Sequence, residues 1–256
     1  MIIKLINPIK FENSYNQGNT IDPQPCLGKE KRCPRTCAGS GGVYLIIKKK
    51  GKYCIPVFKN CERHLNGIND HQWESPLGTY ESKHKDISVT ASQEGWEESC
   101  GLFYIESSIL KDKGFSHNPR PRGAHHNHAI CIDDKVLNDH LCKKSFDDNH
   151  KIMEKYHKSG EFGKKLRPAV EEMIDITFIG IDEIDRCKKI YKPRSDPGRD
   201  CDYKGKKGSE CNFPMKDINN KVCQTNLLSW DLYEKKGYEL IKQAVASPYK
   251  PSIVKL

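Results

Sequence analysis

Three glutamates, Glu94, Glu97 and Glu98, stand at i, i+3 and i+4 of a stretch with helical spacing, downstream of a glycine-bearing loop. On a helix those spacings put all three carboxylates on one face, where each like-charged pair costs about 0.2–0.5 kcal/mol. A cation is the natural partner for such a face. Hard divalent ions such as Mg2+ and Mn2+ prefer oxygen ligands and bridge carboxylates to substrate phosphates, so the spacing points to metal-dependent phosphate chemistry. A solvated acidic face is the ordinary alternative for acids at this spacing alone.

The surrounding sequence predicts a sheet for this helix to lie on. Gly42-Val43-Tyr44-Leu45-Ile46-Ile47-Lys48 is a β-branched apolar run, Lys50-Gly51-Lys52 a turn, and Tyr53-Cys54-Ile55-Pro56-Val57-Phe58 the return of a hairpin. A polar loop follows, and Trp73-Glu74-Ser75 reads as a short strand leading into the loop at Gly78. Asp86 or Ser88 suits the N-cap of the glutamate helix, and Gly101 its terminator. Phe103-Tyr104-Ile105 reads as a short strand before a basic, proline-containing loop from Gly114 to Gly123.

A further strand runs from Asn127 to Asp133, preceded by His125 and His126. Strand alternation puts His126 and His128 on one face and His125 on the other, and an exposed strand edge is the ordinary reading ahead of a transition-metal site. Residues 146–158 and 164–173 have helical character, Ile174 to Ile181 reads as a strand, and Asp182-Glu183-Ile184 opens a helix. Residues 192–221 are rich in glycine, proline and lysine and read as a long loop. Trp230, Tyr233, Leu240, Ile241 and Ala244 recur near helical spacing in a final helix over about 226–246.

Taken in order, Trp73-Glu74-Ser75-Pro76-Leu77-Gly78, Gln93-Glu94-Gly95-Trp96-Glu97-Glu98 and Ser99-Cys100-Gly101-Leu102 resemble the Nudix hydrolases. The signature box of that family is a glycine-bearing loop after a strand, a helix carrying Arg-Glu-x-x-Glu-Glu, then a small residue and glycine. All three glutamates match. Gln93 stands where arginine is usual, Gly95 replaces an apolar residue, and one extra residue separates Glu98 from Gly101. Glu81 lies early for the loop acid, whose place falls near His84 or Lys85. A neutral glutamine braces a glutamate with about half the strength of arginine. The resemblance spans roughly residues 40–190.

What the resemblance implies is an α+β fold, a Nudix-like α/β/α sandwich with a mixed sheet. To it are added an N-terminal arm (1–38), a basic Gly/Pro-containing loop or insertion (191–225), and a C-terminal helix packing on the domain (226–256), the domain itself being 39–190. It implies Glu94, Glu97 and Glu98 as ligands of Mg2+ or Mn2+. An acid just before a late strand can supply a further ligand or the general base, and Glu172 is the candidate, with Glu171 behind it. The implied activity is hydrolysis of a pyrophosphate bond in a nucleotide, capped RNA, diphosphoinositol phosphate or related polyphosphate. Gln93, Gly95 and the shifted glycine support the alternative of a degenerate module that binds nucleotide or RNA without cleaving it.

Composition bears on partners and compartment. A formal net charge of +9 favours anionic partners. The charge is clustered, in Lys48-Lys49-Lys50, Arg120 with Arg122, Lys143-Lys144, Lys164-Lys165 with Arg167, Lys188-Lys189, and Lys204 with Lys206-Lys207. Each run alone reads as a solvated surface; together they suit a nucleotide, polyphosphate or RNA substrate. The 12 cysteines show no regular repeat, which argues against a small disulfide scaffold. Cys33 and Cys37, with Cys26 and with Cys54 or Cys61, have spacing that a structural zinc site can use, a third reading in which the acidic helix is incidental. No stretch has the length of a membrane span, and Met1 to Pro8 looks like a first strand rather than a signal core, so a cytoplasmic protein with reduced thiols is expected. Trp73, Tyr80 and Trp96 can stack on a base, with core packing the preferred role for Trp73 and Trp96.

Overall fold

The computed structural model describes residues 2–5, 40–60, 72–79, 87–117, 125–159, 173–190, 213–225, 235–250 and 252–255. In chain order the elements are β1 (Ile2–Leu5), β2 (Ser40–Lys49), β3 (Lys52–Asn60), β4 (Gln72–Glu74), β5 (Leu77–Thr79), α1 (Ile87–Glu97), α2 (Ser107–Lys113), β6 (Phe115–His117) and β7 (His125–Cys131). There follow α3 (Lys135–His140), α4 (Lys143–Ser159), β8 (Met173–Gly180), α5 (Ile181–Ile190), β9 (Phe213–Lys216), β10 (Val222–Thr225), α6 (Lys235–Ala246) and β11 (Ser252–Lys255).

The expected hairpin forms the middle of a mixed sheet. Lys50 and Gly51 turn the chain with φ of 49° and 78°, the pair of positive values that matches the twist of a two-residue hairpin. From that centre the sheet runs β6-β7-β2-β3-β4-β10-β9, with β5 also paired to β2 and β8 to β3. The β2–β7 pair is parallel and the β2–β3 pair antiparallel. Because side chains alternate along a strand, β2 feeds two cores. Val43, Leu45 and Ile47 join Ala91 and Trp96 of α1, Ile109 and Leu110 of α2, and Phe146 and Met153 of α4. Tyr44 and Ile46 join Ile184 of α5 and Tyr238, Ile241 and Ala244 of α6 on the other face. The result is α+β, a mixed sheet between two helical layers. Trp73 and Trp96 are buried in the two cores, one in each.

Several expectations change. Residues 213–225, read as part of a loop, form the antiparallel β9–β10 hairpin, and β10 joins β4 through Thr225 and Trp73. In the strands Met215, Cys223 and Thr225 turn inward, with buried Asp217 in the turn between them, and the outward lysines and asparagines mask the strand pattern. Phe103-Tyr104-Ile105 forms none of the described strands; Phe103 and Ile105 plug the first core instead. The loop expected from Gly114 begins with β6, which pairs with β7. Strand β7 is therefore internal, flanked by β6 and β2, and His128 is buried rather than at an edge. The helix near residue 146 starts three residues earlier, while 160–172, 191–212 and 226–234 lie outside the described residues.

Helix α1 crosses β2 at a separation set by glycine. A Cβ at Gly41 would lie 2.6 Å from the Ile87 carbonyl oxygen and 2.9 Å from the Ala91 nitrogen, both backbone atoms that cannot step aside. Gly95 on the facing side of α1 leaves 3.1 Å between its own missing Cβ and Val43 Cγ1, and as little to Phe103. The apolar residue missing at 95 is thus replaced in space by the Phe103 ring. Gly41→Ala is expected to lower unfolding free energy by about 1–3 kcal/mol, read from urea denaturation, because the helix has to lift off the strand.

Candidate active site

Two short elements meet here, the last turns of α1 and the strand β5. The helix ends in a Schellman arrangement: the Gly101 N–H donates to the Trp96 carbonyl at 2.8 Å and the Cys100 N–H to the Glu97 carbonyl at 3.1 Å. Cys100 occupies the left-handed position with φ 56°, followed by Gly101 at 71°. The place after Ser99, where the box has glycine, is therefore taken by a cysteine in the backbone conformation that glycine favours. Its thiol is buried against Met153 Sδ at 3.6 Å.

That ending presents the glutamates. Glu98 is 8% exposed, and its Oε2 accepts the Leu77 N–H at 2.8 Å. Glu94, one helical turn earlier, lays its carboxylate on Gly78, so close that a Cβ at Gly78 would occupy the carboxylate's own position. Residues 77 and 78 of β5 thus carry both carboxylates. The strand is itself held by antiparallel pairing with β2, Gly78 opposite Gly41 and Leu77 opposite Gly42. Glu97 turns elsewhere: its Oε1 accepts from Gln93 Nε2 at 2.7 Å. Gln93 does brace a glutamate, the second of the face.

Glu94 and Glu98 converge on β5 while Glu97 is engaged along the helix, and among the described residues no group of three or more His, Cys, Asp or Glu side chains could hold a metal. The donor set is all carboxylate oxygen, which suits a hard divalent cation in kind. Adding Glu97 means releasing an i,i+4 contact worth about 0.2–0.5 kcal/mol. Even a millimolar cation, bound with about 4 kcal/mol, outweighs that. Glu172, Glu171, Glu81, His84, Lys85, Tyr80 and the cap candidate Asp86 lie outside the described residues. Met173, which follows Glu172, pairs with Asn60 at the end of β3.

Two residues that the spacing did not single out line the same neighbourhood. Glu74, on β4 just before the site, is 6% exposed and accepts a hydrogen bond from Asn60 Nδ2, itself 4% exposed. The sequence carries only a faint signal, an acid beside Trp73 in the short Gln-Trp-Glu strand, because burial is invisible without the partner strand. The histidines are less close: His126 pairs with Gly41 and His128 with Val43, along the β7 side of β2, whereas β5 with Gly78 is on the other side.

The described basic runs do not gather at β5. Lys48, Lys49 and Lys50 stand at the far end of β2 from Gly41, where Lys48 covers the Tyr53 ring, Lys49 donates to the Asn138 carbonyl and Lys50 donates to Asn219 Oδ1. Lys143 pairs with Asp147 and Asp175, and Lys144 with Asp148. Lys188 packs over Tyr238. Arg120, Arg122, Lys164, Lys165, Arg167, Lys204, Lys206 and Lys207 lie outside the described residues.

Burial separates the thiols. It pushes Cys54 and Cys131 up to about 12 and Cys187 and Cys223 up to about 11, and raises Cys100 further still. Cys54 keeps its proton and donates to the Ile47 carbonyl at 3.7 Å. For Cys142 burial also acts upward, but hydrogen bonds from the Ser145 hydroxyl and N–H and from the Lys144 N–H, with the Lys49 ammonium nearby, leave the thiol below its ordinary value. Among the described cysteines Cys142 is expected to alkylate first with iodoacetamide at neutral pH, as peptide mapping would read, because the thiolate is the reactive form. Cys26, Cys33, Cys37, Cys61, Cys201 and Cys211, and with them most of the zinc spacing, lie outside the described residues.

No family model and no curated protein matches the chain. Solved structures do. The chain is similar to a MutT/nudix family protein from Enterococcus faecalis at 15% identity and TM-score 0.27, over 49% of this chain and 43% of that one. It is similar to C. elegans Ap4A hydrolase at 16% identity and TM-score 0.28, over 51% of this chain and 96% of that one. A binary complex of a C. elegans Ap4A hydrolase gives 16% identity and TM-score 0.26, over 51% and 93%. No helix among the described residues is long and apolar enough to cross a membrane.

Gly78→Ala tests the junction. The atom in its way is the end of a flexible side chain, so the new methyl displaces the Glu94 carboxylate rather than the backbone. Stability is expected to change by less than about 1 kcal/mol in thermal unfolding, while Mn2+ affinity, read by the spin resonance of free Mn2+, falls about 10-fold or more.

Proposed function

We propose that the chain is a Nudix-type pyrophosphohydrolase, a Mg2+- or Mn2+-dependent enzyme cleaving the pyrophosphate bond of a nucleotide-linked or related polyphosphate substrate. The observation that carries this reading is the seating of Glu94 on Gly78 and of Glu98 on the Leu77 N–H, which joins the helix and loop halves of the box in the order the sequence resemblance requires.

Glu94 and Glu98 would hold the cation, and Glu97 could contribute a further carboxylate in exchange for its hydrogen bond from Gln93. A bound divalent ion supplies charge neutralisation at the pyrophosphate and a water of lowered pKa. The Leu77 N–H fixes the orientation of Glu98, so its other oxygen is aimed without the rotamer freedom that a solvated glutamate keeps. Gly78, lacking a side chain, lets the Glu94 carboxylate approach the strand. Glu172, or Glu171, accepts the proton of the attacking water in this scheme, and lysine or arginine side chains clamp the outer phosphates. Candidate substrates sharing the bond include nucleoside triphosphates, dinucleoside polyphosphates, capped RNA and diphosphoinositol phosphates.

A second reading has its own observation. The Gln93–Glu97 hydrogen bond ties up one of the three glutamates with a neutral partner, as suits a module that binds nucleotide or RNA without turnover. Hydrolysis of the four substrate classes by purified protein, with Mg2+ or Mn2+, separates the two. Metal-dependent cleavage that drops about 100-fold or more in Glu98→Gln and in Glu97→Gln, with unfolding midpoints near the wild type, is the expected result. Retained binding without cleavage of any class would favour the module.

A further inference from the structure

The segment from β4 to β5 changes partners in three residues. Glu74 stands opposite Phe58 of β3, whereas Leu77 stands opposite Gly42 of β2, and the hop runs through Ser75 and Pro76. Proline has no N–H to give, so the backbone of the hop is held through the Pro76 carbonyl, which accepts the Val43 N–H at 3.1 Å. Strand β4 itself is three residues long, a ladder too short to fix its register unaided. Yet register is critical, because a slip of one residue in β5 exchanges Gly78 for Leu77 or Thr79 under Glu94, and either brings a Cβ to a position already filled.

We propose that the buried Glu74–Asn60 pair is the latch that sets this register, making Glu74 and Asn60 positioning residues for the site. The inference deepens the hydrolase reading and takes from it that Glu94 and Glu98 are the cation-holding carboxylates. Glu74 is the last residue of β4 before the hop, and its Oε1 accepts from Asn60 Nδ2 in a setting where both side chains are almost wholly enclosed. A hydrogen bond made there is stronger than one at the surface, and a misregistered strand would leave a carboxylate enclosed without that partner, at a cost of about 1–3 kcal/mol or more. Asn60 lies where the pairing of β3 with β8 shifts register, so that it faces Met173 after Lys59 has faced Asp175. Such irregularities re-aim side chains beside functional sites, and here Asn60 is the residue beside the shift that bonds Glu74. An apolar pair would fill the same space at little net cost in stability, so the polar pair contributes specificity of register.

The double variant Asn60→Leu/Glu74→Leu is the test, with hydrogen exchange of the Leu77 amide as a readout independent of activity and Mn2+ alone as the probe of the carboxylates. Exchange at Leu77 is expected to accelerate about 10-fold or more while amides of the β3–β8 ladder keep their rates, and Mn2+ affinity is expected to fall about 10-fold. Glu74→Gln, which keeps an acceptor for Asn60, restores both to near wild type. If the double variant fails to fold, Asn60→Ser, too short to reach Glu74, is expected to give the same local loss. Unchanged Leu77 exchange in a folded variant overturns the latch. Wild-type protein that binds no Mn2+ overturns the cation reading instead, and leaves Leu77 exchange to decide the latch by itself.

Discussion

Helix α1 lies against β2 at a distance only glycine permits, since Gly41 faces the Ile87 carbonyl and the Ala91 nitrogen while Gly95 faces Val43 and Phe103. Close approach on one side of the helix decides what its other positions can reach. With the axis held that near the sheet, Glu94 and Glu98 arrive at the backbone of β5 instead of projecting past it. The same closeness explains why Gly95 stands where an apolar side chain is usual: Phe103 has already taken the volume, and dense cores leave no room for both. Packing and site geometry are therefore one constraint seen from two faces of α1.

The C-terminal end of α1 adds a second requirement. A left-handed residue must follow Ser99 for the chain to turn back into the core, and here Cys100 adopts it at φ 56°. A non-glycine residue pays about 1–2 kcal/mol for that conformation, a cost opposed by the burial of its side chain near Met153. The apparent insertion before Gly101 is thus a substitution at the turn: the helix stops where the box requires, and Leu102 enters the core immediately after it.

Much of this was legible in the residues. The β2–β3 hairpin is announced by a β-branched run on either side of Lys-Gly-Lys, and α1 by the spacing of its glutamates, both local patterns with one dominant period. The convergence of Glu94 and Glu98 on β5, at Gly78 and Leu77, follows from the same spacing once β5 is placed. What the residues concealed depends on distant partners. Glu97 is diverted by Gln93, a choice between two acceptors on one helix face that spacing does not rank. Glu74 reads only as one residue of a short strand, and its enclosure by Asn60 and β3 depends on a partner in another strand. Strands β9 and β10 show too few inward residues to register as strands, since Val222 and Gln224 point out while Cys223 and Thr225 point in.

One remaining element has a kinetic side. Strand β1 lies parallel to β11, with Ile2 opposite Ser252 and Leu5 opposite Lys255, and the chain reaches β11 just after Tyr249 has bonded to Cys131 at the end of β7. Two strands so far apart in sequence close a very long loop, and loop closure becomes slower and entropically less favourable with length. During synthesis residues 2–5 are made well before residues 252–255, and their pairing waits for that later segment. The ribbon is therefore a natural late step of folding, a closure made on a chain whose central sheet can already be built.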